Sequence, residues 1–470
     1  MFRQRLKTRL KPLAIRLGLH PPPLRLSMVV ATYNVAPYID AFFDSLVAQT
    51  TGLAGLEVIV VNDGSTDGSG NLADAWAARY PDAIRVIHQS NQGVAAARNA
   101  GLAVATGEWI CFPDPDDFLS PGYIAHVRTE IMRPETENLV AVVANMTFYY
   151  EATDSYGDDH PLRFRFANGI QRHDSTDPGR FIVPHTSSVF MRRAAILQHG
   201  LTFNSEIRPS FEDADFIIRL LVRQPGGTIS FLPAPVYYYR KRAAATSLID
   251  GVAANPEWYA PHMTHAYLPL LKDAQMQRGE IPAFVQANVL LSVMSKIRHV
   301  TGPRFNPDVL DASQQAAFLE GLTKVIARID TALLRDISLP GLPDIHRHSL
   351  LLAYKGDVPV HIPRIVLVDG TQNGPVADFA FRWQSPTGLE QDITALIDGQ
   401  AIALPVSCPV PKALFGMPYI TERHVKLSLS QAQVVAFICD GQKIPMRHAG
   451  QSLGENVYFE QLIAAMAASV

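Results

Sequence analysis

Between residues 26 and 112 the hydrophobic pattern switches repeatedly between a buried strand and a helix, and this alternation restricts the fold more than any other feature of the chain. LSMVVATYN (26–34), LEVIVVND (56–63), IRVIHQ (84–89) and EWICF (108–112) are short apolar runs of strand length. Between them lie PYIDAFFDSLVAQT (37–50), NLADAWAARY (71–80) and GVAAARNAGLAVA (93–105), each with helical spacing. In the first of these, Ile39, Phe42, Phe43, Leu46 and Val47 fall on one face. Strands alternating with helices build βαβ units, and so an α/β fold with a mostly parallel sheet covered on both faces. Ligands of such sheets bind beyond the carboxyl ends of the strands. The polar motifs stand there: ATYN after the first strand, NDGSTDGS after the second, DPDD after the fourth.

DPDD sets Asp114, Asp116 and Asp117 side by side behind an apolar run. Carboxylates this close raise one another's pKa unless a cation keeps them ionised. A hard divalent ion such as Mg²⁺ or Mn²⁺ takes oxygen ligands, often one or two carboxylates, with waters and substrate phosphates completing its shell. Pro113 and Pro115 fix φ at two positions and stiffen the turn that presents the acids. A solvated acidic loop or a helix cap would account for the tetrapeptide taken alone.

In order along residues 26–117, ATYN, VIVVNDGSTDGS, NQGVAAARNAGL and ATGEWICFPDPDD resemble the nucleotide-sugar-binding half of the family 2 glycosyltransferases, whose fold is the Rossmann-like GT-A type. The resemblance continues through SSVFMRRAAI (187–196), RPSFEDADFIIRLL (208–221) and PVYYYRKRAAATSL (235–248). Beyond residue 250 the chain looks like the accessory region of bacterial enzymes that build or decorate teichoic acids and related wall or capsule polymers. The resemblance implies roles. Asp63 would read the nucleotide base, accepting from a uracil N–H that cytosine lacks, beside Thr32 and Tyr33. Asn62 stands where many members carry a second Asp. Arg98 would approach the nucleotide, Asp114 would face the ribose and the metal, Asp116 would ligate the metal, and Asp117 would support or cap them.

A single displacement with inversion needs a base on the face opposite the departing diphosphate, hence from a separate segment. FEDADF supplies it: Glu212 and Asp213 match the family's acidic pair, in which the second acid is the base. On a helix Asp213 shares a face with Phe216 and Ile217, while Asp215 points away. Acids at a helix N-terminus also favour the macrodipole, which accounts for Glu212 without catalysis. Arg240 and Arg242 match a basic loop that folds over the donor and offsets charge on the diphosphate. His185 is either a structural histidine, an acceptor contact or a metal neighbour. Tyr237, Tyr238 and Tyr239 are candidates to stack on sugar, though strand alternation buries at least one of them as core.

The remaining organisation is coarser. Residues 26–250 read as the catalytic domain, 251–350 as a helical subdomain, 357–450 as a β-rich domain and 451–470 as a helical tail. The β-rich part has the punctuation of a small sandwich of about seven strands or fewer, suited to polymer binding, homo-oligomer formation or shielding of the core. Residues 1–25 carry Arg3, Arg5, Lys7, Arg9, Lys11 and Arg16 among Phe2, Leu6, Leu10, Leu13 and Leu17, with no acid before Asp40. Such a segment lies on an anionic membrane surface, docks as a helix, or forms a basic arm. Pro12 weakens either helical version. A net charge of -3 gives no drive toward nucleic acid, and Cys111, Cys408 and Cys439 read as buried thiols of a reducing compartment. No apolar run reaches the ~18 residues of a spanning helix.

The expectation is therefore an inverting, metal-dependent hexosyl- or N-acetylhexosaminyltransferase using a nucleotide-diphospho-sugar, a UDP-sugar by the Asp63 argument. Its acceptor would be a cell-surface polysaccharide or a polyol-phosphate polymer. It would act in the cytoplasm or at the inner face of the plasma membrane. The alternatives are a non-catalytic scaffold that binds nucleotide sugar or polymer, and one module of a bifunctional polymerase.

Overall fold

The structure, a computed structural model, describes residues 24–175, 182–244, 248–303, 305–338, 343–404 and 408–468. The basic segment expected over 1–25 lies outside them except for its last two residues. The chain divides into two compact units, Met1–Asn288 and Val289–Val470.

In the first unit the expected alternation is present: β1 (Leu26–Thr32), α1 (Ile39–Val47), β2 (Leu56–Asp63), α2 (Ser69–Arg79), β3 (Ile84–Gln89), α3 (Val94–Val104) and β4 (Trp109–Cys111). Every residue of β2 is buried, as a strand covered on both faces requires. β1 pairs in parallel with β2 on one side and β4 on the other, and β3 lies beyond β2. After β4 come β5 (Phe118–Leu119), α4 (Tyr123–Ile131), β6 (Leu139–Tyr150), β7 (Ser155–Gly157), β8 (Gln171–Asp174), β9 (Val189–Arg192), α5 (Arg193–Gln198), α6 (Glu212–Val222) and β10 (Thr228–Lys241). The full order is β3-β2-β1-β4-β9-β6-β10-β5, with β7 beside β6 and β8 beside β10. Strand order reverses direction between β1 and β4, the point where an open sheet leaves a crevice for a ligand.

Two close approaches hold the crevice walls in place. α3 packs on β1 through Gly101, where an added Cβ would stand 2.2 Å from Val29 Cγ1. α6 is braced by α7 (Leu268–Arg278), with Arg223 making paired hydrogen bonds to Asp273 at 2.6 and 2.7 Å. Phe42, Phe43, Trp76, Tyr123, Phe190 and Tyr237 fill the core around the strands, so the buried member of the tyrosine run is the first.

α8 (Ala283–Val300) leads into the second unit, whose helices are α9 (Ala312–Ala327), α10 (Thr331–Asp336) and α11 (Asp344–Leu350). Its β part holds more strands than the expected seven. One sheet joins β11 (Ile365–Asn373), β12 (Val376–Pro386), β15 (Val410–Leu414), β16 (Met417–Ser430), β19 (Met446–His448) and β20 (Gln451–Gly454). The other joins β13 (Ile393–Ile397), β14 (Gln400–Ile402), β17 (Val434–Cys439), β18 (Gln442–Ile444) and β21 (Val457–Tyr458). The extra strands are two to five residues long, too short to show a period. Phe381 of the first sheet meets Phe437 of the second edge to face at 5.1 Å, within one shared core that makes the pair a sandwich. α12 (Phe459–Ala467) closes the chain. Cys111 and Cys439 are buried but Cys408 is exposed, contrary to expectation, because it leads into an exposed segment before β15.

Candidate active site

The loops at the carboxyl ends of β1 and β2 fasten to each other. Asn34 adopts a left-handed φ of 51°, and its Oδ1 accepts from Thr66 N at 2.9 Å. The Val35 and Ala36 amides donate to Ser69 Oγ and Asp67 Oδ2 at 2.8 and 2.9 Å. Asp67, which accepts from Ala36 N, Ser69 N and Ser69 Oγ, is held below the usual carboxylate range by these hydrogen bonds against the effect of its burial. Thr32 is buried at the end of β1, whereas Tyr33 stands 48% exposed on the rim. Asn62 is occupied locally, with Nδ2 on His88 Nδ1 at 3.0 Å and Oδ1 accepting from Ser65 N.

Asp63 is buried at the end of β2. Its Oδ1 accepts from Gln89 Nε2 (2.8 Å) and Gln92 N (2.9 Å), and its Oδ2 from Gly93 N (2.8 Å). The carboxylate therefore shapes the 89–93 loop at the start of α3, where Gly93 has φ 92°.

The three acids of DPDD are each met by a different basic residue. Asp114 Oδ1 accepts from Arg98 Nη2 at 3.2 Å. Asp116 Oδ2 accepts from Arg242 Nε and Nη2 at 3.0 and 2.7 Å. Asp117 is fully buried, with Oδ1 accepting from the Arg240 backbone N–H at 2.8 Å. Among the described residues no three His, Cys, Asp or Glu side chains come together as a metal cage. Burial, then repulsion from Asp116 and Glu212, pushes Asp114 up to about 6, with Arg98 opposing. Burial, then repulsion from Asp116 and Asp114, raises Asp117 well above its ordinary value.

Arg98 is the junction of the site. It is 5% exposed on α3 and donates Nη1 to Glu212 Oε1 at 2.6 Å while Nη2 holds Asp114. Its guanidinium also lies 5.4 Å from the Phe203 ring. The acid loop after β4 and the first turn of α6 are thus tied through one cation, although Arg98 and Glu212 lie 114 positions apart. Glu212 is buried in this ion pair, a stronger reason for its presence than the helix dipole. Asp213 is half-buried beside it, and burial, then Glu212, raises its pKa to about 7 against the pull of Arg98. Asp215, expected to point away, is buried as well, because Arg219 one turn on neutralises it at 2.7 Å.

The basic strand end is built into the site. Arg240 is buried, donates Nε to the Asp116 carbonyl (2.7 Å) and Nη1 to Glu151 (3.2 Å), and lies over the Tyr149, Tyr38 and Phe118 rings. It is a fixed strut of the acid loop. Arg242 lies 4.5 Å from the Tyr38 ring. The Tyr237 hydroxyl accepts from Asp114 N at 3.0 Å. Sequence reading missed Tyr38 and Glu151 as parts of this site, and considered Tyr237 for sugar stacking or the core rather than as a support of the acid loop. His185 sits apart from the acids, with His160 (6.4 Å) and Arg165 as neighbours, and burial lowers its pKa well below the histidine range.

Residues 27–197 match the family model described as Glycosyl transferase family 2. Among curated proteins, the chain is 27% identical over 304 residues to the minor teichoic acid biosynthesis protein GgaB of Bacillus subtilis, a match spanning 65% of this chain and 32% of GgaB. It is 26% identical over 320 residues to GgaA of the same organism, spanning 67% of this chain and 69% of GgaA. The chain thus spans about a third of the first relative's length. Among solved structures, S. aureus TarS 1-349 in complex with UDP-GlcNAc superposes with a TM-score of 0.53 at 20% identity, over 70% of this chain and 87% of that one. S. aureus TarS also superposes at 0.53, with 14% identity, over 90% of this chain and 77% of that one. These likenesses are of fold. It is the family match that marks residues 27–197 as a glycosyl transferase family 2 domain.

Proposed function

We propose that the chain transfers a sugar, with inversion, from a UDP-sugar to a hydroxyl of a teichoic-acid-like polymer or related bacterial surface polysaccharide. The relatives' names, GgaB and GgaA of minor teichoic acid biosynthesis, support the acceptor class, and TarS 1-349 in complex with UDP-GlcNAc supports the donor. The observation that carries the reading is the Asp114–Arg98–Glu212 chain, which sets Asp213 beside the acid loop from a separate element.

In the reaction, Asp213 accepts the proton of the acceptor hydroxyl as that oxygen bonds to the anomeric carbon. The bond from that carbon to the diphosphate breaks, and the nucleoside diphosphate leaves with the electron pair. A base raised to about 7 is well matched to this task at neutral pH, and the rate rises as pH climbs through that value and the carboxylate ionises. Asp114 and Asp116, two closely spaced carboxylates on a stiff turn, suit a hard divalent ion, Mg²⁺ or Mn²⁺. Such an ion, when bound, supplies positive charge to the departing diphosphate. Arg240 keeps the acid loop in place, and Thr32, Tyr33 and Asp63, at the carboxyl ends of β1 and β2, are the residues assigned to the base in this reading.

The test is turnover of UDP-sugars with Mn²⁺ and a polyol-phosphate acceptor. Asp213→Asn is expected to lower kcat by roughly 10²–10⁴-fold with donor affinity kept. Full activity in that variant would refute the assignment of the base. Tight donor binding without turnover by the wild type, across donors and acceptors, would replace the enzyme by a binding scaffold.

A further inference from the structure

The two outer acids of the loop differ in availability. Asp114 keeps 34% of its side chain exposed, whereas Asp116 keeps 16%. What covers Asp116 is Arg242, whose Nε and Nη2 both point at Oδ2 and whose side chain is 11% exposed against the Tyr38 ring. The backbone on either side is anchored: Arg240 N on Asp117 Oδ1 and Ala243 N on Glu151 Oε2 at 3.0 Å. The main chain is therefore fixed around residue 242, and the long side chain is the part able to change partner.

Resting on the function proposed above, we propose that Arg242 is a built-in stand-in for the divalent ion: without donor its guanidinium neutralises Asp116, and it leaves that carboxylate for the donor diphosphate when the ion binds. A guanidinium offers a planar fork of donors that suits carboxylate and phosphate equally, so the exchange replaces one charge-assisted pair by another. Asp116 would serve either the guanidinium or the ion, so the ion would bind against competition until a diphosphate removes the competitor. By linkage the two ligands bind cooperatively, each weakly alone. The arrangement disfavours an acid loop loaded with metal alone.

The probe is Mn²⁺, titrated calorimetrically with and without UDP, on the full chain and on Arg242→Met, Arg242→Lys and Asp116→Asn, with thermal unfolding confirming that each variant folds. Arg242→Met is expected to bind Mn²⁺ alone roughly tenfold more tightly than wild type, to bind UDP more weakly, and to lose most of the coupling between them. Arg242→Lys, a single point charge without the fork, is expected to fall between. Unchanged or weaker Mn²⁺ binding by Arg242→Met, with Asp116→Asn abolishing it in both backgrounds, overturns the exchange and leaves the metal assignment standing. Mn²⁺ binding insensitive to Asp116→Asn overturns both.

Discussion

Replacing Arg98 by Met tests whether one buried cation assembles the site. The substitution keeps a long apolar stem but removes the charge between two acids. The Arg98–Glu212 pair is 2.6 Å long, and the two side chains are only 6% and 7% exposed, so Glu212 is left charged and buried. Breaking such a pair from one side costs about 3–5 kcal/mol. The Asp114 arm is longer, at 3.2 Å, and a third exposed, so solvent screening limits it to about 0.5 kcal/mol. At about 2–4 °C per kcal/mol, thermal unfolding of the first unit should fall by roughly 10 °C. Adding Glu212→Gln removes the stranded charge and should recover about half the loss, which a double-mutant cycle measures. Arg98 also holds Asp213 and Asp114 down, so its removal lifts both above about 7 and about 6. An acid raised in the folded state binds protons better folded than unfolded, so the stability it contributes is full below its unfolded value of 3.8 and is lost as pH rises through the folded one. The variant should therefore lose more stability than wild type between pH 6 and 8, and the basic shift of Asp213 should carry the acidic limb of the rate profile to higher pH. A loss under about 1 kcal/mol, no recovery in the double variant, or a limb that stays in place would refute the junction.

Other expectations follow from packing and charge. Gly101→Ala places a methyl 2.2 Å from Val29 Cγ1 and should cost about 1–3 kcal/mol in urea denaturation, partly restored by Val29→Ala. Asp63→Asn sets an amide against three N–H donors, so it should destabilise the 89–93 loop by about 1–3 kcal/mol and weaken UDP more than it weakens CDP in calorimetry. In the second unit His361 Nε2 donates to Gln384 O at 3.1 Å, so His361 Nδ1 must accept from His348 Nδ1–H at 2.8 Å, a pair that is lost once His361 Nδ1 takes a proton. Burial, then His361, lowers His348 from 6.5 to about 4; its stabilising effect is full above 6.5 and is lost as pH falls toward 4, about 3 kcal/mol that His348→Leu should abolish from the acid unfolding slope.

How much was legible before the fold was known depended on the range of the interaction. β2 and β3 were read to their ends because an apolar run carries its own period, and α1 was recognised, though two to three residues too long at each end, because Ile39, Phe42, Phe43 and Leu46 repeat every turn. The short strands of the second unit, β14, β18 and β21 among them, carry no such signal. Within the site, the acids of DPDD and FEDADF were recognisable because each motif is contiguous. Arg98, Arg240 and Arg242 were recognisable too, but not which acid each of them meets. Arg240 was expected above the donor, yet the register of β10 against β6 directs it into the acid loop.

The sequence by itself determined the alternating α/β order, the parallel pairing of β1 to β4 and which carboxylates stand at the strand ends, because each follows from residues a few positions apart. Only the tertiary structure decided which cation faces which acid. Arg98 reaches Glu212 across 114 positions, Tyr237 reaches Asp114 across 123, and Arg242 reaches Asp116 across 126. Pairing over such distances is set by how strands stack into a sheet and how a helix docks on it, and local periodicity holds no record of either.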